Sequence, residues 1–114
     1  MTDSAELLPG TLDMLVLHAL SLGTLHGYAI AQHIERLSAE VLRVEQGSLY
    51  PALHRLLKRG WIVAEDGLSK NNRRAKFYKL TPKGKKQLGV EAGKWDKLAG
   101  AIARILRSDI ARES

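Results

Sequence analysis

The most regular hydrophobic pattern of the chain lies in QGSLYPALHRLLKRG, from Gln46 to Gly60. Apolar residues recur there at spacings of three and four, which places them on one stripe of a helix of about four turns. We expect that stripe to be buried, with Ser48 capping the helix, Pro51 in its first turn and Gly60 at its end. The stripe consists of Leu49, Ala52, Leu53, Leu56 and Leu57.

The opposite side of this helix carries hydrogen-bonding and cationic groups and no carboxylate. Such a surface suits phosphate groups and the edges of bases. An amphipathic helix whose basic side is simply solvated has the same pattern, so this reading stays open. The outward residues are Pro51, His54, Arg55 and Lys58, with Ser48, Tyr50 and Arg59 along the borders.

An earlier helix is predicted to follow a short arm, Met1 to Leu8, and a break at Pro9-Gly10. We expect Thr11 to cap this helix and Gly23 to end it. Its apolar residues surround more than one side, which indicates contact with a second subunit or with the C-terminal helix. They are Leu12, Leu15, Val16, Ala19 and Leu20, widened by Met14, Leu17 and Leu22.

A shorter helix is predicted from His26 to Ser38, and it opens with His26-Gly27-Tyr28. The N–H groups of a helix start, joined by an imidazole and a phenol, can hold a phosphate. An equally good reading is that His26 only caps the helix and Tyr28 only packs. The β-branched, alternating segment from Val41 to Glu45 predicts a small strand before the basic helix.

A β-hairpin is predicted after Gly60. Its strands are Trp61 to Ala64 and Ala75 to Leu80, and they are joined by a basic segment rich in turn residues at 67–74. We expect Tyr78 and Leu80 to face the core, and Arg74 and Lys76 to share one face near the tip. A solvated charged loop is the simpler alternative for that tip.

The last segment predicts one long helix, with Thr81 as cap and Pro82 at its first position, continuing to about Arg107. Apolar residues recur in it at alternating spacings of four and three, which is typical of a coiled-coil seam. A helix of that length exceeds what so small a domain can cover, so we expect a second copy to cover it. The seam residues are Leu88, Ala92, Trp95, Ala99, Ile102 and Leu106, and Leu12 and Leu15 of the first helix are expected to join them in the dimer interface.

Composition limits the remaining possibilities. The chain has 114 residues, 45% of them hydrophobic, which suits one domain with an appended helix. It has no cysteine, so disulfides and thiolate chemistry are excluded. We find no signal sequence or long apolar run and expect a soluble, cytoplasmic protein without a membrane partner. The four histidines show no paired spacing, and no catalytic motif is visible, so we expect no metal, no cofactor and no enzymatic activity.

The charges are distributed unevenly. Residues 1–50 hold two basic and six acidic residues, whereas residues 51–114 hold sixteen basic and six acidic ones. Eleven Lys or Arg lie between Arg55 and Lys86, against only Glu65 and Asp66. This concentration is typical of a surface that binds a polyanion, and a basic helix joined to a basic hairpin favours duplex nucleic acid.

The order of elements is that of a winged helix-turn-helix, with the basic helix as recognition helix and the hairpin as wing. We therefore predict a mainly α fold with a small β-hairpin, in which residues 1–80 bind DNA and residues 81–114 form a long C-terminal dimerisation helix. The chain resembles the PadR-like family of transcriptional regulators, in the subfamily with a single C-terminal helix. The resemblance is carried by LPGTLDMLVLHAL, HGYAI, GSLYPALHRLLKRGWI and RRAKFYKLTPKGKKQL.

The resemblance implies a dimeric repressor that binds a pseudo-palindromic operator and is released by a small, often aromatic, ligand. It places DNA contacts at Tyr28, Ser48, Tyr50, Pro51, Arg73, Arg74 and Lys76, to which the outward side of the helix adds Arg55 and Lys58. Trp95 resembles a tryptophan that stacks planar ligands in some members, and its seam position fits simple dimer packing as well. The competing interpretation of the whole chain is a winged helix used for protein interaction or for nonspecific, architectural DNA binding.

Overall fold

The computed structural model describes the backbone of residues 9–113 and the side chains of residues 10–108. The predicted arm at residues 1–8 lies outside this range. Within the described range, four helices and one small antiparallel sheet form the fold, which confirms the predicted mainly α class. The elements are α1 Pro9–Ser21, β1 Leu25–His26, α2 Gly27–Leu37, α3 Gln46–Lys58, β2 Ile62–Leu68, β3 Arg74–Leu80 and α4 Pro82–Glu113.

The core lies between α1, α2 and α3 and is closed by the sheet. The predicted stripe of α3 is buried, with Leu57 at its edge. As predicted, α1 is buried on more than one side, because α2, α3, α4 and β3 all pack against it. Its fully buried residues, each at most 3% exposed, are Leu12, Val16, Leu17, Ala19 and Leu20.

The sheet has the order β1-β3-β2, so the predicted hairpin gains a third strand. That strand is Leu25–His26, paired with Phe77 and Tyr78, and not the predicted Val41–Glu45, which is a loop. The loop is held by side chains: the Val44 N–H donates to the Glu35 carboxylate at 2.8 Å. Because Val44 turns into the core, its β-branched character reflects burial and not pairing.

One predicted helix start and one predicted helix cap are wrong. The first helix begins at Pro9, two residues before Thr11, so Pro9-Gly10 belongs to the helix instead of breaking it. The basic helix α3 begins at Gln46, as predicted, but Glu45 precedes it without a side-chain cap, so Ser48 is not the cap. Pro51 is consequently the sixth residue of α3, where its missing N–H leaves the carbonyl four residues earlier without its helical donor.

The end of α3 and the start of α4 were predicted correctly. At the end of α3, Gly60 adopts a φ of 75°, its N–H donates to Leu57 O, and the Trp61 N–H donates to Leu56 O. This is a Schellman motif, which turns the chain sharply into the hairpin. Thr81 caps α4 by accepting from the Gly84 N–H at 3.0 Å, and its hydroxyl donates to Gly60 O at 2.8 Å.

The long helix α4 has 32 residues and so extends about 48 Å, further than the predicted end at Arg107. Its first turns pack on β3 and α1, where Leu88 contacts the core. The molecule is elongated to 61 Å in its longest direction. Large apolar side chains stay exposed along the rest of the helix, namely Trp95, Leu98, Ile102, Ile105 and Leu106.

Candidate nucleic-acid interface

Three elements meet at one cleft of about 300 Å³: the start of α2, the first half of α3, and the inner face of the β2–β3 wing. Tyr50 of α3 lies beside Gly27, where a Cβ would stand 3.6 Å from the Tyr50 ring, so the two helices approach closely. Half of the Tyr50 surface remains exposed. The cleft is lined by His26, Gly27, Tyr28, Tyr50, Ser69, Arg74, Ala75, Lys76 and Tyr78.

The inner face of the wing changes from apolar to cationic along β3. Since side chains alternate in a strand, Arg74, Lys76 and Tyr78 share one face, as predicted. Tyr78 is buried at the base, and Arg74 and Lys76 are exposed toward the tip. Burial, with a smaller contribution from Tyr50, raises the pKa of Tyr78, so its phenol stays neutral at physiological pH. The cleft therefore offers cationic and hydroxyl donors to an anion.

The wing tip is shorter than the predicted loop, because β2 and β3 pair as far as Leu68 and Arg74. The Ser69 N–H donates to Arg73 O at 2.8 Å and the Asn72 N–H donates to Ser69 O at 2.9 Å. Asn72 supplies the positive φ of 60° that closes the turn. Arg73 is exposed at this tip. The predicted wing cations thus lie on a hydrogen-bonded turn and on the strand that follows it.

His26 and Tyr28 differ in their roles at the start of α2. His26 caps the helix, as one of the two predicted readings had it: its Nδ1 accepts from the Ala29 N–H at 3.2 Å, and its ring meets the edge of Phe77. Tyr28 is 64% exposed, and its ring stacks on that of His26 with 6.5 Å between the centroids, so it packs at the surface and not in the core. Its phenol lies beside the helix start, where N–H groups favour an anion.

The outward side of α3 is exposed, as the sequence predicted, at Ser48, Tyr50, Pro51, His54 and Lys58. Arg55 departs from this pattern, because its guanidinium is bound to Asp13 of α1. Arg55 Nη2 lies 2.7 Å from Asp13 Oδ1 and Nε lies 3.2 Å from Oδ2. The hydrogen bond to Asp13 raises the pKa of Arg55. Arg55 is therefore not the free cation that the sequence predicted.

Asp13 itself was missed in the sequence. It is only 8% exposed and is a buried charged side chain in the core-facing part of α1. The sequence did contain a signal, because Asp13 is a single carboxylate between Leu12 and Met14 and almost all of the residues around it in the helix are apolar. A buried carboxylate requires a partner, and an arginine elsewhere in the chain is the usual one.

The predicted dimer residues fall into three groups by burial. Leu12 is 3% exposed in the core of its own protomer, so its assignment to a dimer interface was wrong, and Leu88 also packs against that core. Leu15, Ala92 and Ala99 are partly exposed. The seam residues Trp95, Ile102 and Leu106 are 47–60% exposed. The exposed residues of the predicted seam therefore lie between Trp95 and Leu106 of α4.

Trp95 lies in a shallow groove of about 340 Å³ between the start of α1 and the middle of α4. The groove is mostly apolar and is lined by Gly10, Thr11, Met14, Glu91, Lys94, Trp95 and Leu98. Among the side chains of residues 10–108, no three from His, Asp or Glu come together as a metal site would require. No helix in the same range is both long and apolar enough to span a bilayer.

Residues 16–90 match the family described as "Transcriptional regulator PadR-like family". The chain is 32% identical over 87 residues to Transcriptional regulator Rv3488 of Mycobacterium tuberculosis, covering 76% of this chain and 78% of that protein. It is 42% identical over 89 residues to a 37.1 kDa protein in transposon TN4556 of Streptomyces fradiae; this covers 78% of the chain and only 24% of that longer protein. Its fold is similar to a PadR family transcription regulator from Clostridium difficile R20291, with a TM-score of 0.73 and 25% identity over 83% of this chain and 97% of that one.

Proposed function

Because the chain belongs to the PadR-like family of transcriptional regulators, we propose that it is a cytoplasmic, homodimeric repressor that binds a pseudo-palindromic DNA operator and is released by a small effector. One observation carries this proposal: the cleft where Tyr28, Tyr50, Arg74 and Lys76 converge from three different elements. The proposed role is binding, without catalysis, a cofactor or a resident metal.

The cleft suits a DNA duplex because base-reading and phosphate-binding groups lie side by side. Ser48, Tyr50 and Pro51 lie in the first half of α3, the part of a recognition helix that usually meets base edges. Arg73, Arg74 and Lys76 extend from the wing, and Tyr28 from the start of α2, toward the flanking phosphates. Lys58 lies about two turns after Tyr50 on α3, and we assign it a contact with the DNA backbone.

The dimer is supported by the exposed apolar surface of α4, from Trp95 to Leu106. A surface of this kind is costly to leave in water, and a two-fold partner with the same surface would cover it. Two recognition helices related by two-fold symmetry read two half-sites about one helical turn apart. Residues 81–114 are accordingly proposed as the dimerisation segment.

The effector is assigned to the groove that contains Trp95. Its indole is 47% exposed and the groove is mostly apolar, which suits a planar ligand that stacks on the ring. The competing role for Trp95 is packing in the dimer seam. Spectral titration of Trp95 fluorescence in a Trp61→Phe background, with planar apolar compounds, distinguishes a bound ligand from simple packing.

The proposed function is tested by selection of duplexes with a randomised central region, followed by gel shifts of the best site against excess random duplex. We expect one enriched pseudo-palindromic sequence that resists the competitor. Enrichment of no sequence, with binding that the competitor removes fully, would favour the nonspecific, architectural alternative. Absence of any binding would favour a protein-interaction module.

The wing residues are expected to set the salt dependence of DNA binding. Two protomers with roughly four phosphate contacts each release about seven counterions, so the affinity should fall steeply with salt. Arg74→Ala removes one such contact from each protomer and should flatten the slope of log K against log salt by about 1–2 units, on specific and random DNA alike. Arg73→Ala should do the same.

The matched control is Lys97→Ala, which removes the same charge from an exposed position on α4, away from the cleft. Its slope should equal that of the wild type. If Arg74→Ala also left the slope unchanged, the wing would not lie on the DNA backbone.

Sequence discrimination is expected to depend on the start of α3. Tyr50→Ala should lower the ratio of specific to random affinity at fixed salt, since a lost base contact costs ~1–3 kcal/mol on the correct site only. Lys58→Ala should lower both affinities and keep the ratio, as expected for a phosphate contact. Tyr50→Phe keeps the ring beside Gly27 and isolates the contribution of the hydroxyl. Equal losses on both DNAs for a folded Tyr50→Ala dimer would show that this surface does not read sequence.

A further inference from the structure

The ion pair between Asp13 and Arg55 connects α1 directly to the recognition helix. The carboxylate is almost fully buried, and it accepts hydrogen bonds from both Nε and Nη2 of the guanidinium. Burying a carboxylate is costly, and an apolar pair of similar volume is often at least as stabilising. An apolar pair in the same place would therefore stabilise the fold about as well. What the ion pair adds is a fixed orientation of the Arg55 guanidinium.

The orientation it fixes is that of a cation at the edge of the DNA-facing surface. At 100° per residue, Tyr50 lies on one border of the outward side of α3, and Arg55 lies near the other border, which Arg59 marks. His54 and Lys58 lie between Tyr50 and Arg55. The guanidinium has five N–H donors, two of which are used by Asp13. Its side chain is 36% exposed, so the remaining donors can reach a DNA duplex along α3.

The pair has a second electrostatic consequence. Asp13 places a negative charge close to the surface that meets phosphates, and this charge offsets part of the attraction that Arg55 exerts on any DNA. Random DNA is bound almost entirely through such charge interactions, whereas binding to a specific site also depends on how the protein is positioned along the bases. A carboxylate in this place lowers affinity for random DNA and preserves the geometry needed for the correct site.

On the basis of the proposed function, we propose that Asp13 is a positioning residue for sequence discrimination: it never touches DNA, and it holds Arg55 and the recognition helix in the orientation that reads the operator. The ion pair raises the ratio of specific to random affinity in two ways. It fixes the orientation of the Arg55 guanidinium, and its carboxylate opposes the nonspecific attraction of Arg55 to DNA. Arg55 is then a specificity residue and not simply one more basic group.

The test measures affinity for the selected site and for random duplex at fixed salt, by fluorescence anisotropy, for the full chain and three variants. Asp13→Asn removes the charge with little change in volume, and Arg55→Lys keeps the cation but loses the bidentate fork. The control is Asp66→Asn, which removes the same charge from the wing opposite Lys76. Melting curves establish that each variant is folded at the assay temperature.

We expect Asp13→Asn to weaken binding to the selected site and to leave random binding equal or stronger, so that the ratio falls about tenfold, as for one lost base contact. Arg55→Lys should lower the ratio similarly, and it decides the question if Asp13→Asn fails to fold. Asp66→Asn should strengthen both affinities alike. A purely structural role for the pair would lower both affinities together with the folded fraction.

An unchanged ratio in Asp13→Asn, or equal losses on both DNAs, would overturn the inference while leaving the proposed function intact. If the wild type selected no sequence at all, the proposed function would fail and the inference with it. The two failures are therefore distinguishable in one set of titrations.

Discussion

Gly84→Ala is expected to destabilise the protein by about 3 kcal/mol or more, because the added Cβ would make the closest contact found at any glycine of the chain. Gly84 is buried in the first turn of α4, where the helix crosses the start of the wing. A Cβ there would overlap the carbonyl oxygen of Trp61 and stand 2.8 Å from its carbonyl carbon. Leu80 Cδ1 would lie 2.9 Å from the same Cβ, so the added methyl group is crowded from a second direction.

Relief of this overlap requires a backbone shift, because the obstructing atoms belong to the main chain. The Thr81 N–H donates to the same Trp61 carbonyl oxygen at 3.0 Å, so moving α4 also strains the bond that anchors it to the hairpin. Urea or thermal unfolding of the variant measures the loss. We also expect weaker dimerisation, since the direction of α4 sets where its exposed apolar surface lies.

Gly89→Ala is the matched control, since it adds the same methyl group one and a half turns further along the same helix. A Cβ at this position meets no atom within 4 Å. Alanine is the better helix former, so this variant should be more stable by ~0.5–1 kcal/mol. If both substitutions changed the unfolding free energy by the same amount, the close approach of α4 to Trp61 would be contradicted.

The double variant Ile102→Glu/Leu106→Glu is expected to convert the proposed dimer into monomers. The two side chains are 47% and 60% exposed and neighbour each other on the same side of α4. In a two-fold dimer the variant would place four carboxylates in the seam and remove four apolar side chains. At ~1 kcal/mol or more for each lost side chain, the dissociation constant should rise about a thousandfold or more.

Sedimentation velocity at micromolar concentration measures this change directly. Arg104→Glu/Ser108→Glu is the control, because these exposed residues have the same spacing on the opposite side of α4. The control should remain dimeric. A double variant in the seam that still sedimented as the wild-type dimer would show that another surface joins the protomers.

The sequence predicted those elements whose identity depends on local periodicity. Apolar spacing, together with Gly60, Thr81 and Pro82, predicts four features: the stripe of α3, the broad burial of α1, the wing and the long α4. Helix caps were less predictable, since α3 begins at Gln46 without a side-chain cap and so leaves no cap signal to recognise. The strand Leu25–His26 is two residues long and exists only through its pairing with β3.

Features that depend on distant contacts could not be predicted. Asp13 and Arg55 are separated by 42 positions, and only the fold shows that the carboxylate of one binds the guanidinium of the other. Gly84 and Gly89 look equivalent in a helical sequence, yet one is pressed against Trp61 and the other faces open space. Leu12 fits an exposed seam and a buried core equally well, and the packing of α1 decides between them.

A hydroxyl-radical footprint of the wild-type protein on its selected site shows directly whether it binds DNA as a two-fold dimer. A two-fold dimer with two recognition helices should protect two patches related by symmetry, with centres about one helical turn apart, and wing contacts should extend the protection outward on the flanking backbone. Arg74→Ala should shorten those outer edges and leave the centres in place. A single asymmetric patch, or uniform protection along the duplex, would contradict the account.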